Sequence, residues 1–178
     1  VYRVKGLSGP LILKRALAHF ASKGALDIDT LGEKNVEALV EVGLVNDLAD
    51  IYRLTKDDLL QLERFAEISA QKLIDAIAAK KQPALERFLF GLGIRHVGAQ
   101  TAIDLANKFE SIEKIMTATI DELREVDGVG EIVAESIVAW FADEYNEKLL
   151  EKFTDLGVTP QFSQKSDRLA GQSFVITG

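Results

Sequence analysis

The sequence contains no cysteine and only two histidines, and both scarcities limit the chemistry open to it. Without thiols the chain has no disulfide scaffold, no thiolate zinc site, no iron–sulfur cluster and no cysteine nucleophile. Two histidines leave little material for a metal-ligand cluster or a Ser-His-Asp arrangement. No apolar run approaches the length of a membrane span. We therefore expect a cytoplasmic globular protein that holds its core by apolar packing alone.

The net charge of −7 comes from one segment of the chain rather than from its whole length. Residues 1–119 carry 16 basic and 16 acidic side chains, whereas residues 120–158 carry 3 basic and 11 acidic ones. Proteins that bind nucleic acids usually present a basic surface. Because the acidity is confined to one segment, it decides little about the partners of the rest.

Apolar residues recur at intervals of three and four along most of the chain, which predicts short amphipathic helices. The first of these is expected over residues 11–22. Two helix starts read as capping boxes, in which a threonine side chain and an acid three residues later bind each other's backbone amides. These are Thr55 with Asp58 and Thr119 with Glu122. The pattern predicts an all-α fold.

The two capping boxes lie 64 residues apart because the sequence repeats internally. Residues 51–62 align with residues 115–126, and the match continues into the segments that follow. Four turn-like sites result, at spacings of 34, 32 and 32 residues: Gly32, Ala66, Gly98 and Gly130. The chain is predicted to contain four helical hairpins arranged as two tandem pairs.

The fourth turn shows most clearly what such a hairpin could bind. It joins a predicted helix over residues 121–126 to another over residues 132–141, and its centre is Gly128-Val129-Gly130. The first glycine permits a positive φ angle, the valine fills the space between the helices, and the second glycine opens the next helix. The first amides of that helix have no intrahelical partner and lie at the positive end of its dipole, which suits a phosphate.

This arrangement is the helix-hairpin-helix motif, and its four copies are unequal. The first and third keep the second glycine, with Thr30 and His96 in place of the first. The second has lost both glycines but offers Arg64 to a phosphate. The predicted DNA-contacting residues are Thr30, Leu31, Gly32, Lys34, Arg64, Phe65, Ala66, Arg95, His96, Val97, Gly98, Gln100, Thr101, Gly128, Val129 and Gly130.

Other interpretations of the hairpins remain open beside DNA binding. A single copy is equally consistent with a tight helix–turn–helix corner, but a DNA backbone is itself a repeating ligand and suits a repeated motif. The hairpins of this chain could instead serve as a scaffold that joins neighbouring domains. An autonomous nuclease or glycosylase is disfavoured, since no metal cluster, catalytic lysine beside a hairpin or iron–sulfur cysteine is present.

Two places interrupt the helical pattern. Pro83 follows a polar stretch and marks a position where a new helix begins. Residues 173–178 are β-branched and aromatic, which predicts a strand. One strand is not stable alone, so we interpret it as the truncated start of a further domain, reached through a polar linker.

Three segments carry a resemblance to a known family. Residues 18–28, 29–32 and 87–98, the last with its run Phe88-Leu89-Phe90-Gly91-Leu92-Gly93-Ile94-Arg95, resemble the tandem helix-hairpin-helix domain of bacterial NAD+-dependent DNA ligases. The likeness covers nearly the whole chain. Residues 169–178 resemble the first strand of the BRCT domain that follows in this family.

The resemblance implies a role in DNA replication and repair. Ligases of this family seal nicks with NAD+ and Mg2+, and this domain grips the minor groove on both sides of the nick without reading sequence. The implied partners are nicked double-stranded DNA and the other domains of the same ligase chain, in a monomer associated with the bacterial nucleoid. The Lys-x-Asp-Gly motif that accepts AMP is absent here, so this chain is not expected to ligate. Weak DNA binding is expected because neutral backbone amides, rather than Lys and Arg alone, would meet the phosphates.

One departure from the family concerns its zinc finger, which ends in a cysteine pair just before the first helix. Val4 and Gly9 stand at the matching positions, and neither can hold zinc, so a zinc site is doubtful here. The resemblance implies four segments: a zinc-finger remnant over 1–10, the tandem helix-hairpin-helix domain over 11–160, a linker over 161–168 and the BRCT start over 169–178.

Overall fold

The computed structural model describes residues 10–163. The positions of Val4 and Gly9 and the predicted strand at 173–178 lie outside these residues. Within 10–163 no helix is long and apolar enough to cross a lipid bilayer. The helices are α1 (Pro10–Ala21), α2 (Glu33–Glu41), a 3-10 helix (Leu48–Arg53), α3 (Lys56–Leu60), α4 (Glu67–Ala78), α5 (Leu85–Gly91), α6 (Ala99–Phe109), α7 (Ile112–Met116), α8 (Ile120–Arg124), α9 (Glu131–Ala142) and α10 (Glu144–Asp155). The all-α fold is confirmed.

Both predicted capping boxes form. The Asp58 amide donates to the Thr55 hydroxyl at 3.1 Å, and the Thr55 amide donates to the Asp58 carboxylate at 3.0 Å. The Glu122 amide and the Thr119 hydroxyl make the same pair at 3.1 Å, with the return bond at 2.9 Å. Each box therefore satisfies two amides that would otherwise lack a partner at the start of a five-residue helix.

The structure repeats with the period that the sequence predicts. Helix α4 begins at Glu67 and ends at Ala78, and α9 begins and ends 64 residues later. The short helices before them, α3 and α8, follow the same offset. Four pairs pack as hairpins: α1 with α2, α3 with α4, α5 with α6, and α8 with α9. These pairs are the four helix-hairpin-helix units, and they are called hairpins 1 to 4 in chain order.

The two halves meet around three phenylalanines that are almost completely inaccessible to solvent. Phe20 of α1 and Phe88 of α5 both contact Phe153 of α10, with ring centroids 5.7 and 5.1 Å from that of Phe153. Tyr52 of the 3-10 helix adds a fourth ring at 6.1 Å. The cluster joins elements from both repeats, because α1 also packs against α5.

A polar contact supports the same junction beside the aromatic rings. Asp50 is only 5% exposed, and it accepts from the Asn46 amide at 2.7 Å and from the Lys152 ammonium. Lys152 also bonds Asp47 at 2.9 Å. Since a buried carboxylate is costly unless it is paired, this network anchors α10 to the 3-10 helix.

The helix start predicted at Pro83 is wrong by two residues. Helix α5 begins at Leu85, with Ala84 as its N-cap in an extended conformation. Pro83 has a carbonyl that accepts the Gln161 amide at 2.8 Å, and the Leu85 amide donates to the Gln161 carbonyl at 2.7 Å. The segment before α5 is therefore held extended by the returning chain, which delays the helix.

We expect Phe153→Ala to lower the free energy of unfolding by about 3–5 kcal/mol, because it removes the ring that the other three share. Urea unfolding followed by circular dichroism measures the change. Ile132→Ala is the control, since Ile132 is 68% exposed and its truncation is expected to cost under about 0.5 kcal/mol. A loss below about 1 kcal/mol for Phe153→Ala would contradict a shared aromatic junction.

Stability is expected to fall above about pH 10, in part through Tyr52. Burial raises the pKa of Tyr52 above its ordinary value of 10.0, and its hydroxyl donates to the Lys80 carbonyl at 2.9 Å. In this range the unfolded chain loses a proton that the folded chain retains, so each pH unit costs up to about 1.4 kcal/mol for this group.

Urea unfolding of the parent and of Tyr52→Phe between pH 9 and pH 11.5 measures this contribution. The phenylalanine variant has no proton to lose at this position, so its stability is expected to decline less steeply. Parallel curves for the two proteins would show that Tyr52 ionises equally readily in both states.

Candidate nucleic-acid interface

The four hairpins share one backbone hydrogen bond. In each, a buried residue, here called the plug, donates its amide to the carbonyl three residues earlier. The bonds are Leu31 to Ile28 at 3.3 Å, Phe65 to Leu62 at 3.1 Å, Val97 to Ile94 at 3.0 Å and Val129 to Val126 at 3.0 Å. Each plug side chain is at most 7% exposed. The inward role predicted for Val129 is confirmed, and the other three plugs share it. These four residues are also predicted to contact DNA, but their side chains are buried and position the turn rather than face a ligand.

The residue before the plug adopts a left-handed conformation in three of the four hairpins. Its φ angle is +68° at Thr30, +70° at His96 and +83° at Gly128. Glycine adopts this conformation without strain, whereas other residues lose about 1–2 kcal/mol. Thr30 and His96 therefore hold the glycine geometry at a cost. Arg64 does not adopt a positive φ angle, so hairpin 2 differs here.

The residue after the plug is the N-cap of the following helix. Gly32, Gly98 and Gly130 have φ between −85° and −93° and ψ between −170° and −177°, and none forms a side-chain cap. The first amides of α2, α6 and α9 precede the hydrogen-bond ladder of their helices. In hairpin 2 the backbone amide of the N-cap residue, Ala66, donates a hydrogen bond to the Ser69 hydroxyl at 2.9 Å.

The space in front of these three glycines is open. A Cβ atom added to Gly32, Gly98 or Gly130 meets nothing within 4 Å, and all three residues are exposed. Because unpaired amides at a helix start favour an anion, each of these hairpins can accept a phosphate oxygen from solvent.

Hairpins 1 and 2 are joined side by side through Asn35. The Arg64 Nε donates to the Asn35 Oδ1 at 2.7 Å, and the Asn35 Nδ2 donates to the Thr30 carbonyl at 2.6 Å. The predicted residues Thr30 and Arg64 are thereby brought to one surface. Sequence analysis missed Asn35, whose only signal is a polar side chain in the first turn after a hairpin.

Hairpins 3 and 4 have no such arginine bridge, because Gly128 stands 64 residues after Arg64. Arg95 and His96 are exposed at hairpin 3, as predicted for contact residues. Gln100 donates to Asp104 at 3.1 Å, and Thr101 is half-buried. Apart from the half-buried Thr101, the predicted site residues are either buried plugs or exposed to solvent. The solvent-facing residues are Thr30, Gly32, Lys34, Arg64, Ala66, Arg95, His96, Gly98, Gln100, Gly128 and Gly130.

Acidic residues flank hairpins 1, 2 and 4 but not hairpin 3, and in hairpin 1 they are Asp29 and Glu33. Asp127 and Glu131 flank hairpin 4, and Glu63 and Glu67 occupy the same positions in hairpin 2. Glu67 forms an ion pair with Lys56. Hairpins 1, 2 and 4 therefore attract a phosphate less by charge than hairpin 3, which carries Arg95 and no acid at these positions.

Two further features lie beside hairpin 3: the contact between His19 and Phe90, and a cleft. His19 is held by the Phe90 carbonyl, 2.7 Å from its Nε2, and by the Phe90 ring. A cleft of about 530 Å³, here called the aromatic cleft, lies between α1, hairpin 3 and α10, and Trp140 and Tyr145 contribute to its wall.

Comparison with known proteins agrees with the observed repeats. Residues 23–79 match the family described as a SAM-like helix-hairpin-helix tandem, and residues 87–150 match the family described as a helix-hairpin-helix motif. The first match covers hairpins 1 and 2, and the second covers hairpins 3 and 4.

Curated relatives extend the match to almost the whole chain. The DNA ligase of Trichlorobacter lovleyi is 47% identical over 175 residues, which is 97% of this chain and 26% of the relative. That of Geobacter sulfurreducens is 44% identical over 178 residues, or 99% of this chain and 27% of the relative. That of Anoxybacillus flavithermus is 46% identical over 175 residues, or 95% and 26%.

The chain therefore spans about a quarter of the length of these relatives. The part they share with it includes both pairs of hairpins and the plugs that shape them. By its fold and its repeats the chain belongs to the helix-hairpin-helix proteins, and over almost its whole length it is similar to part of these DNA ligases.

Proposed function

We propose that this chain is the sequence-independent duplex-binding module of an NAD+-dependent DNA ligase. The observation that carries the proposal is the shared geometry of Gly32, Gly98 and Gly130, each an exposed N-cap that leaves the next amides open to solvent. Backbone amides bind phosphate oxygens without regard to the attached base. Repeated amide sites therefore suit the repeated phosphates that line the minor groove.

The contacts are predominantly neutral, which sets the strength of the interaction. Among the predicted contact residues only Lys34, Arg64 and Arg95 carry a fixed positive charge, and Arg64 is already bonded to Asn35. Each phosphate that a cation neutralises contributes about 0.9 to the slope of log affinity against log salt. We infer weak binding with a shallow salt dependence. The slope of log affinity against log salt is expected to be no steeper than about −3.

In the whole ligase this module binds DNA and takes no part in the chemical reaction. The curated relatives are named DNA ligases, and the chain itself lacks the Lys-x-Asp-Gly motif that accepts AMP. NAD+ and Mg2+ are assigned to the remainder of the ligase, where nick sealing takes place. The module holds nicked duplex beside those domains, in a monomeric enzyme of the bacterial cytoplasm that associates with the nucleoid.

A scaffold that only joins neighbouring ligase domains is the second candidate. The observation that favours it is the pair of carboxylates, Asp127 and Glu131, around hairpin 4, the hairpin with both glycines. A scaffold places no demand on the space in front of the glycines. DNA binding requires that space to be open.

Gly98→Val separates the two candidates. The added side chain meets no atom of the fold and Gly98 has an ordinary extended backbone, so the unfolding free energy is expected to stay within about 0.5 kcal/mol of the parent. The side chain covers the open amides of α6, and we expect about tenfold weaker binding to nicked duplex. Fluorescence anisotropy with duplexes of unrelated sequence measures the affinity.

Ala139→Val is the matched control, because it adds a comparable apolar volume on the exposed side of α9, nine residues after Gly130. Its affinity is expected to equal that of the parent. Equal affinity for Gly98→Val and the parent would favour the scaffold instead.

A further inference from the structure

Two isoleucines occupy the same exposed position in the two halves of the molecule. Ile68 is 74% exposed and Ile132 is 68% exposed, and each is the second residue of the helix that follows its hairpin. Single exposed aliphatic residues are ordinary on protein surfaces. Here the exposure recurs at the 64-residue offset, at a position that hairpins 1 and 3 fill with Lys34 and Gln100.

The position lies at the rim of the hairpin, two residues after the N-cap. Hairpins 2 and 4 combine the isoleucine with acids on both sides, Glu63 and Glu67 in one and Asp127 and Glu131 in the other. Carboxylates at these positions oppose an ionic contact with phosphate. Hairpin 4 then offers DNA neutral amides and the apolar side chain, and hairpin 2 offers the same together with Arg64, which is already bonded to Asn35.

We propose that Ile68 and Ile132 pack against the deoxyribose rings that line the minor groove. The inference rests on the proposed function. Each ring offers an apolar face directly beside the phosphate that the hairpin amides would bind, and a side chain one position along the helix start is placed to reach it. Minor-groove proteins commonly insert exposed apolar residues between base steps, so this groove accepts side chains of this type.

The two members of each pair then differ in the type of contact that they make with DNA. At the position two residues after the N-cap, hairpins 1 and 3 make ionic or polar contacts through Lys34 and Gln100, while hairpins 2 and 4 make apolar ones. Ionic contacts weaken with salt because they release counterions, whereas apolar contacts do not. The two types can therefore be separated by titration with salt.

The experiment uses the whole chain and a fluorescein-labelled nicked duplex in about 50 and 200 mM salt. Ile68→Ser combined with Ile132→Ser is expected to bind about tenfold more weakly than the parent at both concentrations, with an unchanged salt slope. Lys34→Gln is expected to reduce the slope by about 0.9. Val42→Ser is the control, since Val42 is 54% exposed at the opposite end of α2, and it is expected to match the parent.

Each other result overturns the inference in a distinguishable way. Parent-like affinity of the double isoleucine variant, with normal thermal unfolding, would assign the isoleucines to a protein surface and leave the proposed function intact. A weaker affinity accompanied by a smaller slope would mean that the contact is not apolar. If the parent binds no duplex in about 50 mM salt, the proposed function and this inference both fail.

Discussion

The hydrogen bond from each plug amide to the carbonyl three residues earlier is the constraint on which the candidate interface depends. It closes the turn while the plug side chain, from Leu31 to Val129, is drawn into the core. In hairpins 1, 3 and 4 the residue before the plug adopts a left-handed conformation, and in two of them it is the non-glycine residue Thr30 or His96. The residue after the plug becomes an extended N-cap, and the next amides are left facing solvent. A binding surface follows from apolar burial.

The cluster of aromatic rings where the two halves meet holds the four hairpin turns in one rigid arrangement. Phe20, Phe88 and Phe153 come from helices in both repeats and from the C-terminal α10, so the hairpins of one half cannot rotate freely against those of the other. Preorganisation matters for weak neutral contacts, since each binds usefully only if the others are already aligned. The core thus contributes to binding without touching a ligand.

Local rules predicted the parts of the fold that local interactions determine. The capping boxes at Thr55 and Thr119 and the inward plugs follow from residues within a few positions of one another, and the 64-residue repeat follows because the same local patterns recur along the chain. The delayed start of α5 and the Arg64–Asn35–Thr30 bridge do not, because both depend on partners that lie far away in sequence. The chemistry of Arg64 was evident from its type, but its neighbour required the tertiary structure.

The central claim is that open amides at the starts of α2, α6 and α9 meet phosphates, and amide chemical shifts test it most directly. In a ¹⁵N–¹H titration of the chain with nicked duplex, the account predicts the largest shift changes at residues 32–35, 98–101 and 130–133. Changes concentrated around Trp140 and Tyr145 in the aromatic cleft, with these three segments unaffected, would contradict it.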